Sequence, residues 1–92
     1  MDCWRVHKFG GSSVADAACM ERVARILEDD DAARLAVVMS ACGGVTDALL
    51  SLVAAAERGD ATVAKSLDAL RARHMTIAGA LLDSAGVDRY AE

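Results

Sequence analysis

The sequence predicts a mixed α/β fold, a β-α-β unit followed by two helices. Three observations carry that expectation. Two short apolar runs, "CWRVHKF" and "LAVVMSA", each lead into a glycine pair, Gly10-Gly11 and Gly43-Gly44. Between the runs, apolar residues recur at helical spacing. After the second pair helical periodicity returns and holds as far as Leu81.

Residues 3–9 read as the first strand, because Trp4, Val6 and Phe9 are β-formers and the glycine pair stops them. Residues 12–15 read as loop. Asp16 is placed to cap a helix whose apolar positions are Met20, Val23, Ala24 and Leu27. The acids Asp29, Asp30 and Asp31 oppose the negative end of that helix, so a solvated turn is expected there. Residues 35–41 are apolar without alternation up to Ser40, the pattern of a parallel strand covered on both faces. Thr46 or Asp47 is placed to cap the next helix, with Leu49, Leu52, Val53 and Ala56 on one side. Arg58-Gly59-Asp60 breaks it. Thr62 then opens the longest helical stretch, whose seam is Val63, Leu67, Leu70, His74, Ile77 and Leu81. From Asp83 the periodicity fades, with Gly86 resembling a C-cap.

Ninety-two residues make one domain at most, burying only about 60–65% of the surface of the unfolded chain. Apolar residues make up 54% and charged ones 26%, which excludes a disordered chain. A net charge of −4 without any basic block argues against a nucleic-acid partner. Cys3, Cys19 and Cys42 are odd in number and lack CxxC spacing, which points to reduced thiols and to no metal site. Charge in "MDCWRVHK" interrupts the apolar core an export signal needs. The longest apolar run, residues 48–56, is far shorter than the ~20 residues that span a bilayer. A cytoplasmic protein with no membrane partner is the expectation.

In an open α/β sheet, ligands bind at the carboxyl ends of the strands, where both glycine pairs fall. Without Cβ atoms, Gly10, Gly11, Gly43 and Gly44 let a phosphate approach the backbone, and helix amino ends behind them add positive charge. Lys8 supplies a full charge, and Ser12, Ser13, Ser40 and Thr46 supply hydroxyls. The spacing is neither GxxxxGK[ST] nor GxGxxG, and a glycine pair after a strand serves equally as a plain tight turn. Lys8 alone reads as a solvated strand end, His7 as a strand residue and His74 as a packed one. Cys42 is a thiol beside the second glycine pair.

"KFGGSSVAD" followed by "VVMSACGGVTDALL" resembles the opening of the aspartate kinase branch of the amino-acid kinase family. The family pattern is K-[FY]-G-G-[TS]-S-[VL] at the first strand and an S-A-x-x-G-[IV]-T-[DN] segment after the second. The resemblance is specific over residues 6–50, and Ser12 stands where many members have Thr. It implies the N-terminal part of a three-layer αβα amino-acid kinase domain, with residues 1–92 a truncated portion of the catalytic domain. By position, Lys8 corresponds to the catalytic lysine that meets the ATP phosphates. Gly10, Gly11, Ser12, Gly43 and Gly44 fall to nucleotide binding. Ser13, Ser40 and Thr46 fall to the amino-acid substrate or the phosphates.

The implied reaction moves the γ-phosphoryl of ATP to the side-chain carboxylate of L-aspartate, the first step of lysine, threonine and methionine biosynthesis. Magnesium would be held through the phosphates and by residues outside this chain. A homo-oligomer is implied for the whole enzyme. The family's later half, with its nucleotide-base pocket, does not fit in 92 residues, so the isolated chain is expected to be inactive. A non-catalytic helical self-association module built on the 63–81 seam is the alternative from another class. Glutamate kinase is the alternative within the enzyme class.

Overall fold

The computed structural model describes residues 3–92. It has two parallel strands and four helices in two compact units, Met1–Gly44 and Val45–Glu92. The mixed α/β class is the one the sequence predicts.

In the first unit, strand β1 (Arg5–Phe9) and strand β2 (Leu35–Met39) are joined through helix α1 (Ala17–Glu28). They pair in parallel with Arg5 opposite Leu35 and Phe9 opposite Met39. β1 ends at Phe9 as expected but starts at Arg5 rather than residue 3, and β2 stops at Met39, two residues short of its expected end, where the backbone turns into the second glycine loop. Side chains alternate across a strand, so Arg5, His7 and Phe9 share one face and Val6 and Lys8 the other. The first face is the covered one: Phe9 packs with Val14 and Val23, and Met20 and Leu27 of α1 close around them. Fully burying such a side chain is worth roughly 1.5–3 kcal/mol, and there are few of them. The second face is open. Val6 is 62% and Val38 53% exposed, so the expectation of a strand covered on both faces is not met within this chain.

Two local expectations are corrected here. Residues Gly11–Val14 form a turn of 3-10 helix rather than loose loop, closed by the Ser13 N–H donating to the Gly10 carbonyl. The acidic run is not simply solvated. Asp29 is the C-cap of α1, but the Asp30 side chain is only 5% exposed and accepts from Arg5, His7 and the Ala32 N–H. Asp16 caps α1 as expected, accepting from the Cys19 N–H at 2.8 Å.

The second unit is helical: α2 (Val45–Glu57), α3 (Val63–Leu81) and α4 (Ser84–Ala91). Helix α2 already begins at Val45, so Thr46 and Asp47 lie in its first turn and neither is its cap. Asp47 there still suits the positive amino end. Gly59, at φ 66°, turns the chain out of α2 through a conformation that disfavours a side chain. Thr62 precedes α3 but does not cap it with its hydroxyl, which donates instead to Asp60. In the seam, Leu70, His74 and Ile77 are half-buried while Leu67 is exposed. The His74 ring is satisfied within its own helix, its Nδ1 lying 2.8 Å from the Leu70 carbonyl oxygen. The tail does not fade. Asp83 caps α4 by accepting from the Gly86 N–H, which puts Gly86 in the first turn of a helix rather than at the end of one.

Candidate functional site

The two glycine loops meet. A Cβ built on Gly11 would lie 3.4 Å from the Ala41 carbonyl oxygen, the Gly43 Cα and the Ser40 hydroxyl. One built on Gly43 would lie 3.2 Å from the Gly11 carbonyl oxygen. A side chain at Gly43 would thus press on the Gly11 backbone by a few tenths of an ångström, whereas one at Gly11 would meet its neighbours at the edge of ordinary contact. Strand pairing brings them there: the Ser40 N–H donates to the Phe9 carbonyl at 3.0 Å and continues the β1–β2 ladder into the loops. Gly44 then takes φ 82°, so the second pair supplies the left-handed residue of the turn. Gly10 is exposed, with open space where a Cβ would be.

Around this junction lie groups suited to an anion. Lys8 is exposed on the open face, two residues before Gly10. Ser12, Ser13 and Ser40 are exposed. The Ser40 hydroxyl donates to the Ala41 carbonyl at 2.6 Å, which leaves its oxygen free to accept. Cys42 is buried behind the loop as a free thiol, and Cys3 and Cys19 are free as well. The electrostatics differ from expectation at one point. The amino end of α1 is occupied by the Asp16 carboxylate, whose pKa is held below the ordinary range chiefly by the Cys19 N–H. The positive end of α1 is therefore offset, which leaves Lys8, one residue from the end of β1, as the cation closest in sequence to the first glycine pair.

The structure gathers Gly11, Ser40 and Gly43 and sets Lys8 near the end of the adjoining strand. Ser13 lines a separate small recess of about 110 Å³, with Phe9, Cys19, Arg22, Val23 and Ile26, on the α1 side of the sheet. Thr46 is exposed in the first turn of α2, in the second unit. The larger cleft, about 330 Å³, lies between α2 and α3 and includes none of the candidate site residues read from the sequence. Small side chains open it (Ala48, Ser51, Ala55, Ser66), and Arg58 and Asp60 at its rim pair only loosely, at 3.8 Å.

The glycine loops, the hydroxyls of Ser12 and Ser40 and the Lys8 ammonium suit a phosphate, while the Asp16 carboxylate at the amino end of α1 is committed to the Cys19 N–H. None of those hydroxyl and ammonium groups is a hard anionic ligand for magnesium. Asp30 was missed by reading the sequence. Its only signal was the i, i+2 placement of Arg5 and His7 on the covered face of the strand.

No helix among the described residues is long and apolar enough to cross a membrane. No solved structure matches the chain. The chain is 37% identical over 87 residues to a chloroplastic bifunctional aspartokinase/homoserine dehydrogenase of Daucus carota, a match covering 95% of this chain and 9% of that protein. It is 36% identical to a related bifunctional protein of Zea mays, over 97% of this chain and 10% of that one. It is 46% identical over 66 residues to lysine-sensitive aspartokinase 3 of Escherichia coli K12, over 72% of this chain and 14% of that protein. The chain thus spans about a tenth of the length of the bifunctional relatives it matches. The profile of the amino acid kinase family matches residues 4–87, nearly the whole chain, and with the strand-end glycine junction in place the chain belongs to the amino acid kinase family.

Proposed function

We propose that residues 1–92 are the N-terminal portion of an aspartokinase catalytic domain and supply its phosphate-binding edge. The observation that carries the reading is the mutual approach of Gly11 and Gly43, which brings the two strand-end glycine loops together at one edge of the sheet. The names of the relatives favour aspartate as acceptor over glutamate.

In this reading a side-chain carboxylate oxygen of aspartate attacks Pγ of ATP. The bond from Pγ to the bridging oxygen breaks, and ADP leaves with the electron pair. The acceptor is already ionised at neutral pH, its reference pKa being about 4, so no general base is required. What the protein contributes is alignment and neutralisation of charge in flight. Lys8 faces the transferring phosphoryl oxygens, while Gly10, Gly11, Gly43 and Gly44 let the backbone approach the phosphates. Ser12 and Ser40 offer hydroxyls at the same edge, and Ser13 and Thr46 are reserved for the amino acid. Magnesium would neutralise the phosphates from residues beyond this chain. The product enters lysine, threonine and methionine synthesis, and the whole enzyme is a cytoplasmic homo-oligomer.

Titration of ATP against the isotope-labelled chain tests the binding half. Saturable shifts at Gly10, Gly11, Gly43 and Gly44 that vanish in Lys8→Ala support it, and their absence in the unaltered chain sinks it. The chain by itself is expected to form no aspartyl hydroxamate from ATP, aspartate and hydroxylamine. Detecting that product would overturn the assignment of a partial site.

A further inference from the structure

We propose that Asp30 is a positioning residue for Lys8 and the first glycine pair, acting through His7 and Phe9; the inference rests on the phosphate-binding role given to that loop. Asp30 leaves the end of α1 and reaches the root of β1. Its Oδ1 takes the Arg5 guanidinium at 2.6 Å and the Ala32 N–H at 2.8 Å, while its Oδ2 takes His7 Nε2 at 2.6 Å. An ionised carboxylate only accepts, so His7 donates through Nε2–H. The side chain is almost wholly withdrawn from water, which makes these bonds costly to lose.

From there the contacts run along one face of the strand. The His7 ring lies parallel to that of Phe9, 4° between planes and 6.0 Å between centroids. Phe9 packs with Val14, the last residue of the 3-10 turn that begins at Gly11. The Phe9 carbonyl accepts the Ser40 N–H that joins the two glycine loops. His7 and Phe9 bracket Lys8 in sequence and hold the opposite face of β1, so they set where the Lys8 backbone sits and how far the strand slides along α1. Asp31 is the natural contrast: it is 99% exposed and meets Arg5 only at 3.8 Å.

The test compares binding of inorganic triphosphate by the unaltered chain, Asp30→Asn and Asp31→Asn, each checked for intact folding by far-ultraviolet circular dichroism. Removing a negative charge should by electrostatics alone tighten an anion. Positioning predicts the reverse, with Asp30→Asn weakening triphosphate by roughly two- to thirtyfold and moving the Lys8, Gly10 and Gly11 amide resonances. Asp31→Asn, which removes the same charge, should not weaken triphosphate and should leave those resonances in place. Equal or tighter binding by Asp30→Asn, or an equal loss in Asp31→Asn, overturns the inference. If the unaltered chain binds no triphosphate, the phosphate reading falls separately. The positioning claim then stands or falls on whether Asp30→Asn moves the Lys8 to Gly11 resonances. Should Asp30→Asn fail to fold, His7→Phe keeps the ring against Phe9, removes the donor and carries the same two outcomes.

Discussion

Gly43 lies so close to Gly11 that a methyl group on it would stand 3.2 Å from the Gly11 carbonyl oxygen, with the Ala15 side chain at 3.4 Å on another side. The obstacle is backbone, which yields only if the two loops part. Overpacking of this kind typically costs about 1–3 kcal/mol. Gly43→Ala should therefore lower the urea midpoint clearly and Gly11→Ala somewhat less, its nearest contacts being at 3.4 Å. Gly10→Ala, which meets nothing within 4 Å, should change it little. Equal effects at the three positions would contradict the junction.

A second glycine pair separates conformation from space. Gly59 and Gly79 both have open surroundings, but Gly59 is at φ 66° between α2 and α3 whereas Gly79 lies inside α3. Gly59→Ala should cost about 1–2 kcal/mol, the penalty of a side chain in the left-handed region. Gly79→Ala should gain nearly 1 kcal/mol, because alanine loses less backbone freedom in a helix. Thermal unfolding of the two variants checks the opposite signs.

Much of the fold was legible because its signals are local. Asp16 followed by apolar residues at helical spacing announced a capped helix, and a capped helix is there. Strand, helix, strand implied a parallel pair, and the glycine pairs marked where the chain turns away from the strand ends. What failed was nonlocal or ambiguous. An aspartate run looks the same whether water or Arg5 and His7 receive it, so Asp30 could not be told from Asp31. Asp83 and Gly86 fit a helix start as well as a helix end, since a capping carboxylate needs only a free N–H three residues on. Ser13 illustrates the limit for the site. Its position in the motif is plain, but which side of the sheet it faces depends on how the 3-10 turn winds.

The Asp30 clasp gives a pH dependence whose direction follows from its pKa. The Ala32 N–H, then the His7 hydrogen bond, hold that carboxyl below its ordinary value of 3.8; burial opposes them and the charge of Arg5 assists. A depressed folded-state pKa contributes stability that is fully present above the unfolded value. It is lost as pH falls through the folded one. The chain should therefore lose stability below about pH 4, the reference range for aspartate, and Asp30→Asn should flatten that acid limb. Asp16 and Asp60 are depressed by capping and turn N–H groups too, so part of the limb should persist in the variant. Urea midpoints from pH 2 to 6 for both proteins measure this. An unchanged acid limb in Asp30→Asn would remove Asp30 from the account.

The open face of the sheet leads to the last expectation. Val6 and Val38 stand more than half exposed on it, and among the described residues no further strand pairs with either edge of the β1–β2 sheet. Exposed apolar strands with free edges pair with other chains when nothing covers them. The isolated chain should thus self-associate through this face, with a sedimentation coefficient that rises with concentration. Replacing both valines by threonine keeps the β-branched shape and strand preference while removing apolar surface. Val6→Thr with Val38→Thr should restore a monomer without altering the circular dichroism spectrum. The competing surface is the helical seam, where Leu67 is 55% exposed. Leu67→Lys should leave association intact if the sheet drives it, and abolish it if the helices do. A chain that stays monomeric at every concentration would show that neither surface is sticky enough to need covering.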